Sequence, residues 1–246
     1  MNINIGPNPT ADAGADDEIC ENGTYTLAGA ATDYSAIQWS TAGDGSFDDD
    51  TQFNAVYTPG STDISNGSVV ITLTADAIAP CSNAATDDMT LSFAPLPTAD
   101  AGVDDTICEN STYTLAGAAS NQSSVLWTTS GDGTFDDDSV LNPVYTPGSG
   151  DIAAGNVTLT LTSYATSPCT DDTSDDMLLT IMHAPTASAG VNDSVCEDNA
   201  VYTLSGLATD YSSVLWTTSG DGSFDDATIL GATYTAGPND IANGGA

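Results

Sequence analysis

Apolar side chains recur at every second residue in short bursts along this chain and nowhere at every third or fourth. Val69, Ile71, Leu73 and Ala75 alternate with Val70, Thr72 and Thr74, and Val157, Leu159 and Leu161 alternate with Thr158, Thr160 and Thr162. That period belongs to strands with one buried face. Clusters of Gly, Pro and Asp separate the bursts and supply turns. One stretch reads as strand A around Thr10–Ala13, B at Thr24–Ala30, C at Ala36–Thr41 and a short D at Ser46–Asp48. E follows at Phe53–Thr58, F at Ser68–Ala75 and G at Met89–Phe93. Seven short strands without helical periodicity predict an all-β sandwich.

The pattern repeats. PTADAGADDEICENGTYTLAGAA opens at Pro9, PTADAGVDDTICENSTYTLAGAA at Pro97 and PTASAGVNDSVCEDNAVYTLSGLA at Pro185. QWSTAGDGSFDDD returns as LWTTSGDGTFDDD and LWTTSGDGSFDD, and NAVYTPGSTDISNG as NPVYTPGSGDIAAG and GATYTAGPNDIANG. A period near 88 residues predicts tandem domains, each a seven-stranded immunoglobulin-like sandwich, arranged end to end. The divisions expected are 1–8 (the last strand of a preceding repeat plus a linker), 9–96, 97–184 and 185–246. The last of these stops before strands F and G. Met1 aligns with Met89 and Met177, so the chain is expected to start inside one repeat and end inside another. Trp39, Trp127 and Trp216 fall on strand C and should plug three cores. Asp63, Asp151 and Asp240, in the turn after YTPG or YTAG, should cap a helical turn.

Charge narrows the function. Among 246 residues there are 35 Asp and Glu, no Lys or Arg and one His, a formal charge of −35. Nucleic acid and anionic membrane surfaces are poor partners for such a chain. No apolar run is long enough to span a bilayer, and the N-terminus lacks the basic and apolar regions of a signal peptide. Without basic partners, each carboxylate must stay hydrated, accept backbone N–H groups or bind a cation.

Three acidic groups recur. Asp12, Asp16 and Asp17 follow the first linker, as do Asp100, Asp104 and Asp105, while the third copy has Ser188, Asn192 and Asp193. The GDGxFDD turn carries Asp44, Asp48 and Asp49, then Asp132, Asp136 and Asp137, then Asp221, Asp225 and Asp226. Asp87 and Asp88, and Asp175 and Asp176, precede strand G. Ca²⁺ takes six to eight oxygens and is the cation such clusters would hold, as a weak extracellular-type site. The competing reading is a hydrated acidic surface in which Asp shapes turns. No cluster has EF-hand spacing.

Catalysis is not expected. The carboxylates recur in every copy, whereas an enzyme gathers its chemistry in one cleft. His183 stands alone, and there is no GxSxG motif.

Five cysteines recur by position: Cys20, Cys108 and Cys196 before strand B, Cys81 and Cys169 after strand F. Repeated pairs without CxxC read as disulfides in an oxidising space. Pairing within a repeat gives Cys20–Cys81 and Cys108–Cys169. Strands B and F run the same way, which places these positions at opposite ends of a sandwich, about 20 Å apart. Disulfide Cα atoms lie roughly 4.4–6.8 Å apart. Across a junction the ends meet, which favours Cys20–Cys169, with Cys81, Cys108 and Cys196 partnered in neighbouring repeats. Both connectivities stay open at this point.

PTADAG, ICEN…YTLAG, LWTTSGDGTFDDD and LNPVYTPGSGDIAAGNVTLTLT with its late Cys together resemble the immunoglobulin-like, PKD-like repeats of giant surface proteins from Bacteroidetes-type bacteria. The resemblance implies a gliding-motility or adhesin-like protein at the bacterial cell surface, with no catalytic residues. It implies a shaft or filament segment whose partners are neighbouring copies of the same repeat, with a surface ligand at a distant tip. Alternatives are a fibre of short subunits joined by strand exchange and a polysaccharide-binding module. Asp-Ser/Thr-apolar triplets at Thr106, Ser139 and Ser194 resemble an O-glycosylation motif of the same bacteria.

Overall fold

The computed structural model describes residue 1 and residues 5–245. The expected strand of a preceding repeat in residues 1–8 therefore falls largely on residues 2–4, outside the described residues.

In the first domain the strands are β1 (Thr10–Asp12), β2 (Asp17–Cys20), β3 (Tyr25–Thr26), β4 (Ala30–Thr32), β5 (Tyr34–Thr41), β6 (Ser46–Phe47) and β7 (Val56–Thr58). A one-turn helix α1 (Ser61–Asn66) precedes the long strands β8 (Ser68–Ala77) and β9 (Ala85–Ala94). β2, β9, β8 and β5 form one four-stranded sheet; β3, β7 and β6 form the facing three-stranded sheet, and β1 pairs with β4. Expected strand A corresponds to β1 alone, and expected strand B is divided into β3 and the start of β4. Gly14, at a φ of 92°, lies between β1 and β2, a conformation suited to glycine. The segment Asp17–Cys20, not expected as a strand, pairs parallel to β9, with Asp17 opposite Leu91 and Cys20 opposite Ala94. Its own alternation is too short to show.

β8 and β9 supply most of the core. Val69, Ile71, Leu73 and Ala75 face inward with Met89, Leu91 and Phe93, the two-residue period placing one apolar row on the sandwich interior. Trp39, on β5 opposite Leu73, is 1% exposed, and its indole N–H donates to the Gln52 carbonyl at 2.9 Å.

The second domain repeats this arrangement: β10 (Thr98–Asp100), β11 (Asp105–Cys108), β12 (Tyr113–Thr114), β13 (Ala118–Ser120), β14 (Gln122–Thr129), β15 (Thr134–Phe135), β16 (Val144–Thr146), α2 (Ser149–Ala154), β17 (Asn156–Ala165) and β18 (Thr173–Met182). Its separate core holds Leu115, Trp127, Tyr145, Leu159, Leu161, Met177 and Leu179.

The third copy forms β19 (Thr186–Ser188), β20 (Val201–Thr203), β21 (Leu207–Thr209), β22 (Ser223–Phe224), β23 (Thr233–Thr235) and α3 (Pro238–Asn243). Among the described residues nothing occupies the place of β8 and β9. The consequence follows from the ladders. β5 takes its sheet partner from β8 and β2 from β9, so neither counterpart is a strand here; residues 212–218 run without regular structure and Glu197–Asn199 is a 3₁₀ turn. The small sheet β20–β23–β22 pairs within itself and persists.

Candidate functional site

Two constructions recur and could carry function: an acidic hub in each domain and a cysteine at each domain boundary.

The hub begins at the turn after β5. Asp63 is 1% exposed, at the third helical position of α1. Its Oδ1 accepts from the Asp44 N–H (3.1 Å), and its Oδ2 accepts from the N–H groups of Gly45 (3.0 Å) and Gly60 (3.1 Å) and from the Tyr57 hydroxyl (2.5 Å). Asp44 answers by accepting from the Thr62 and Asp63 N–H groups at the helix start, each at 3.1 Å. The helix is therefore capped by Asp44, from the neighbouring turn. Asp63 caps the helical turn as expected, from its third position, by accepting the N–H of Gly60, the residue that precedes the helix. Asp132 with Asp151, and Asp221 with Asp240, repeat the exchange. In this way buried carboxylates find donors without any basic side chain.

The glycines follow from that packing. A Cβ at Gly43 would lie 1.6 Å from Asp63 Oδ1, and one at Gly45 would lie 2.2 Å from the Tyr57 hydroxyl. Burial, and then the Asp63 carboxylate, push the Tyr57 phenol up to about 12; Tyr145 is raised to about 12 by burial and Asp151. Backbone donors at the helix start hold Asp44 and Asp132 below their ordinary value. A phenol raised on folding stabilises the fold fully below its unfolded value near 10, and that contribution is lost as pH rises toward the folded value. Alkaline titration should therefore unfold the first two domains between pH 10 and about 12, with Tyr57→Phe and Tyr145→Phe shifting the transition upward. Circular dichroism against pH reads this; a transition unmoved by both substitutions would exclude the phenols as its origin.

The expected cation ligands have other work. Asp12 accepts from the Gly14 N–H (2.9 Å), Asp16 from Thr90 (2.8 Å) and Asp17 from Glu18 (2.8 Å). Asp100, Asp104 and Asp105 accept from Gly102, Leu178 and Thr106. Asp48 accepts from Asp49 and Val56, and Asp49 from both the N–H and hydroxyl of Thr51. Asp136 and Asp137, and Asp225 and Asp226, do the same. Among the described residues, no three His, Cys, Asp or Glu side chains are placed to hold a metal ion. His183 does not stand alone: its Nδ1 lies 3.0 Å from Glu109 Oε2, joining the linker after β18 to the loop after β11. Sequence spacing could not show this, because the two residues meet only across the parallel β11–β18 pair.

The boundary is covalent. Cys20 ends β2, and Cys169 lies in the β17–β18 loop of the next domain. Their sulfurs are bonded, with Cα atoms 4.7 Å apart across 149 residues of sequence. The Cys169 sulfur rests 3.5 Å from the Ala94 carbonyl and 3.8 Å from that of Pro95. Nearby, the Asn22 amide donates to Asp171 at 2.8 Å, a contact between domains that nothing in the spacing announced. The Cys81 thiol occupies the matching place, 3.6 Å from the Gly6 carbonyl and 3.5 Å from that of Pro7. Cys81, Cys108 and Cys196 are free thiols, the last two exposed.

The chain matches no protein-family description and no curated protein. Solved structures do resemble it. The extracellular cadherin domains 1–4 of protocadherin gamma B7 superpose with a TM-score of 0.52 at 10% identity, covering 93% of this chain and 67% of that one. Domains EC22–24 of mouse cadherin-23 give 0.52 at 13% identity, covering 94% and 89%. The chain is a tandem array of β-sandwich domains. It spans 65% and 46% of two further protocadherin structures, of gamma B2 and gamma B4. At these identities the likeness is one of fold. No helix among the described residues is long and apolar enough to cross a membrane.

Proposed function

We propose that this chain is a shaft segment of a bacterial cell-surface repeat protein, holding its domains end to end in an extracellular stalk or filament that serves adhesion or gliding. One observation carries the reading: the Cys20–Cys169 bond ties the end of one domain to a loop of the next. A second covalent connection beside the linker removes bending freedom that a single peptide strand would leave. A disulfide in this position also points to an oxidising compartment. The neighbouring copies of the repeat are the principal partners. The repeat resemblance supports the surface setting. In this reading Ca²⁺ acts as a diffuse counter-ion of an acidic surface whose turns are already built by backbone donors.

Small-angle scattering of the oxidised protein and of the Cys20→Ser variant tests the idea. The oxidised chain should give the narrower distribution of interatomic distances, and the variant a broader one from hinge motion between the first two domains. Superimposable distributions would remove the bond from any stiffening role.

A further inference from the structure

The disulfide at the domain boundary also decides where tension runs through the chain. Cys20 and Cys169 are 149 positions apart in sequence, so the 148 residues Glu21–Pro168 form a closed loop between them. That loop holds β3 to β9 of the first sandwich and β10 to β17 of the second. Outside it, on either side of the bond, the two sandwiches contribute only extended chain. β1 and β2 precede Cys20, and β18 follows Cys169 after residues 170–172.

The directions of these strands set up a continuous route. β2 runs parallel to β9, and Cys20 stands opposite Ala94, where β9 leaves the first domain. β18 runs parallel to β11, from its start near Cys169 to Met182 and the next linker. One route thus crosses the first domain along β1 and β2 and the second along β18. Strands rise about 3.3 Å per residue, close to the greatest reach of a peptide chain. Tension favours an unfolded state in proportion to the length that unfolding adds. Detaching β2 or β18 adds almost none, because each is already extended, and the closed loop adds none while the bond holds.

Without the bond the route is different. Tension entering at β1 would leave the first domain through the end of β9, pulling the neighbouring strands β2 and β9 past each other. In the second domain it would do the same to β11 and β18. Polar contacts hold the bonded ends in place. The Glu21 N–H donates to the Ala94 carbonyl at 2.9 Å, and the Glu21 carboxylate accepts from the Leu96 N–H at 3.1 Å, fixing the linker to the end of β2. The Asn22 amide, donating to Asp171, fixes the Cys169 loop to the same place.

We propose that the boundary is a tension bypass: axial force passes from β1 and β2 through the Cys20–Cys169 bond into β18, and the cores of both complete sandwiches lie off its path. To a stiff shaft this adds constant length under pull. The proposal rests on the shaft reading for its biological setting. It concerns extension along the axis, which scattering from an unloaded chain does not sense, so the two can fail separately.

Single-molecule pulling of the full chain, held by short peptide tags at its two ends, tests it. The oxidised protein is compared with the Cys20→Ser, Cys169→Ser double variant over the same range of force. The double variant should lengthen by roughly 500 Å more than the oxidised chain, the reach of the 148 looped residues at about 3.4 Å each. That length should come in two steps, one for each sandwich, while extension of the third copy is common to both proteins. Adding a soluble thiol reductant to the oxidised chain should release the same two steps, which keeps the test decisive if the double variant folds poorly. Equal lengthening with and without the bond would overturn the proposal. If the sandwiches give way in both states, the bond is absent from the tension path. If they resist in both, it adds nothing to what the cores already withstand.

Discussion

Asp151→Ala should lower the stability of the second domain by about 4 kcal/mol, since each donor left without its acceptor costs roughly 1–3 kcal/mol. The residue is 2% exposed and accepts from the Asp132 and Gly148 N–H groups, at 3.1 and 2.9 Å, and from the Tyr145 hydroxyl at 2.7 Å. Truncation strands all three at once and frees the turn that carries Asp132, the acceptor for the start of α2. Asp151→Asn should be nearly as damaging, because one side of the amide would present N–H groups to existing donors. Asp137→Ala is the control. It accepts only from Ser139 at an exposed turn, and should change stability by about 0.5 kcal/mol or less. Urea titration followed by tryptophan emission measures all three, with separate transitions allowed for separate domains. If Asp151→Ala and Asp137→Ala shift the midpoint alike, the hub is decoration on the turn and not its support.

Trp127→Ala should destabilise the same domain by about 3–5 kcal/mol, through the lost burial and the cavity left in a core that closes on it from both sheets. Trp127 is 1% exposed, pairs across to Leu161 and donates its indole N–H to Leu141. Trp216→Ala is the informative counterpart. Trp216 keeps the indole bond to Ile229, but its opposite face lacks the hairpin, so its removal should cost about 1 kcal/mol. The ratio of the two losses measures what β17 and β18 contribute to holding the plug. Equal losses would mean that the third domain is packed as tightly as the second.

Much of this was written in the chain. The two-residue alternation in Ser68–Ala75, the identical tryptophan positions and the 88-residue repeat determine tandem sandwiches, since each depends only on local period and turn residues. Strand direction, counted along one repeat, was enough to favour a cysteine pair across the boundary. The interval of 19 residues from Asp44 to Asp63, kept from Asp132 to Asp151 and from Asp221 to Asp240, is the signal that could have revealed the hub.

Tertiary structure decided the rest. The parallel pairing of β2 with β9 could not be read, because a four-residue strand has too little alternation and its partner lies some seventy residues away. That pairing sets Cys20 at the domain end, and its counterpart β11–β18 brings His183 to Glu109. The carboxylates read as cation ligands also accept backbone N–H groups, whose directions exist only once the turns close. Composition showed that every Asp needed a partner other than a basic side chain; only the folded backbone, by aiming its N–H groups, determined which partner each one found.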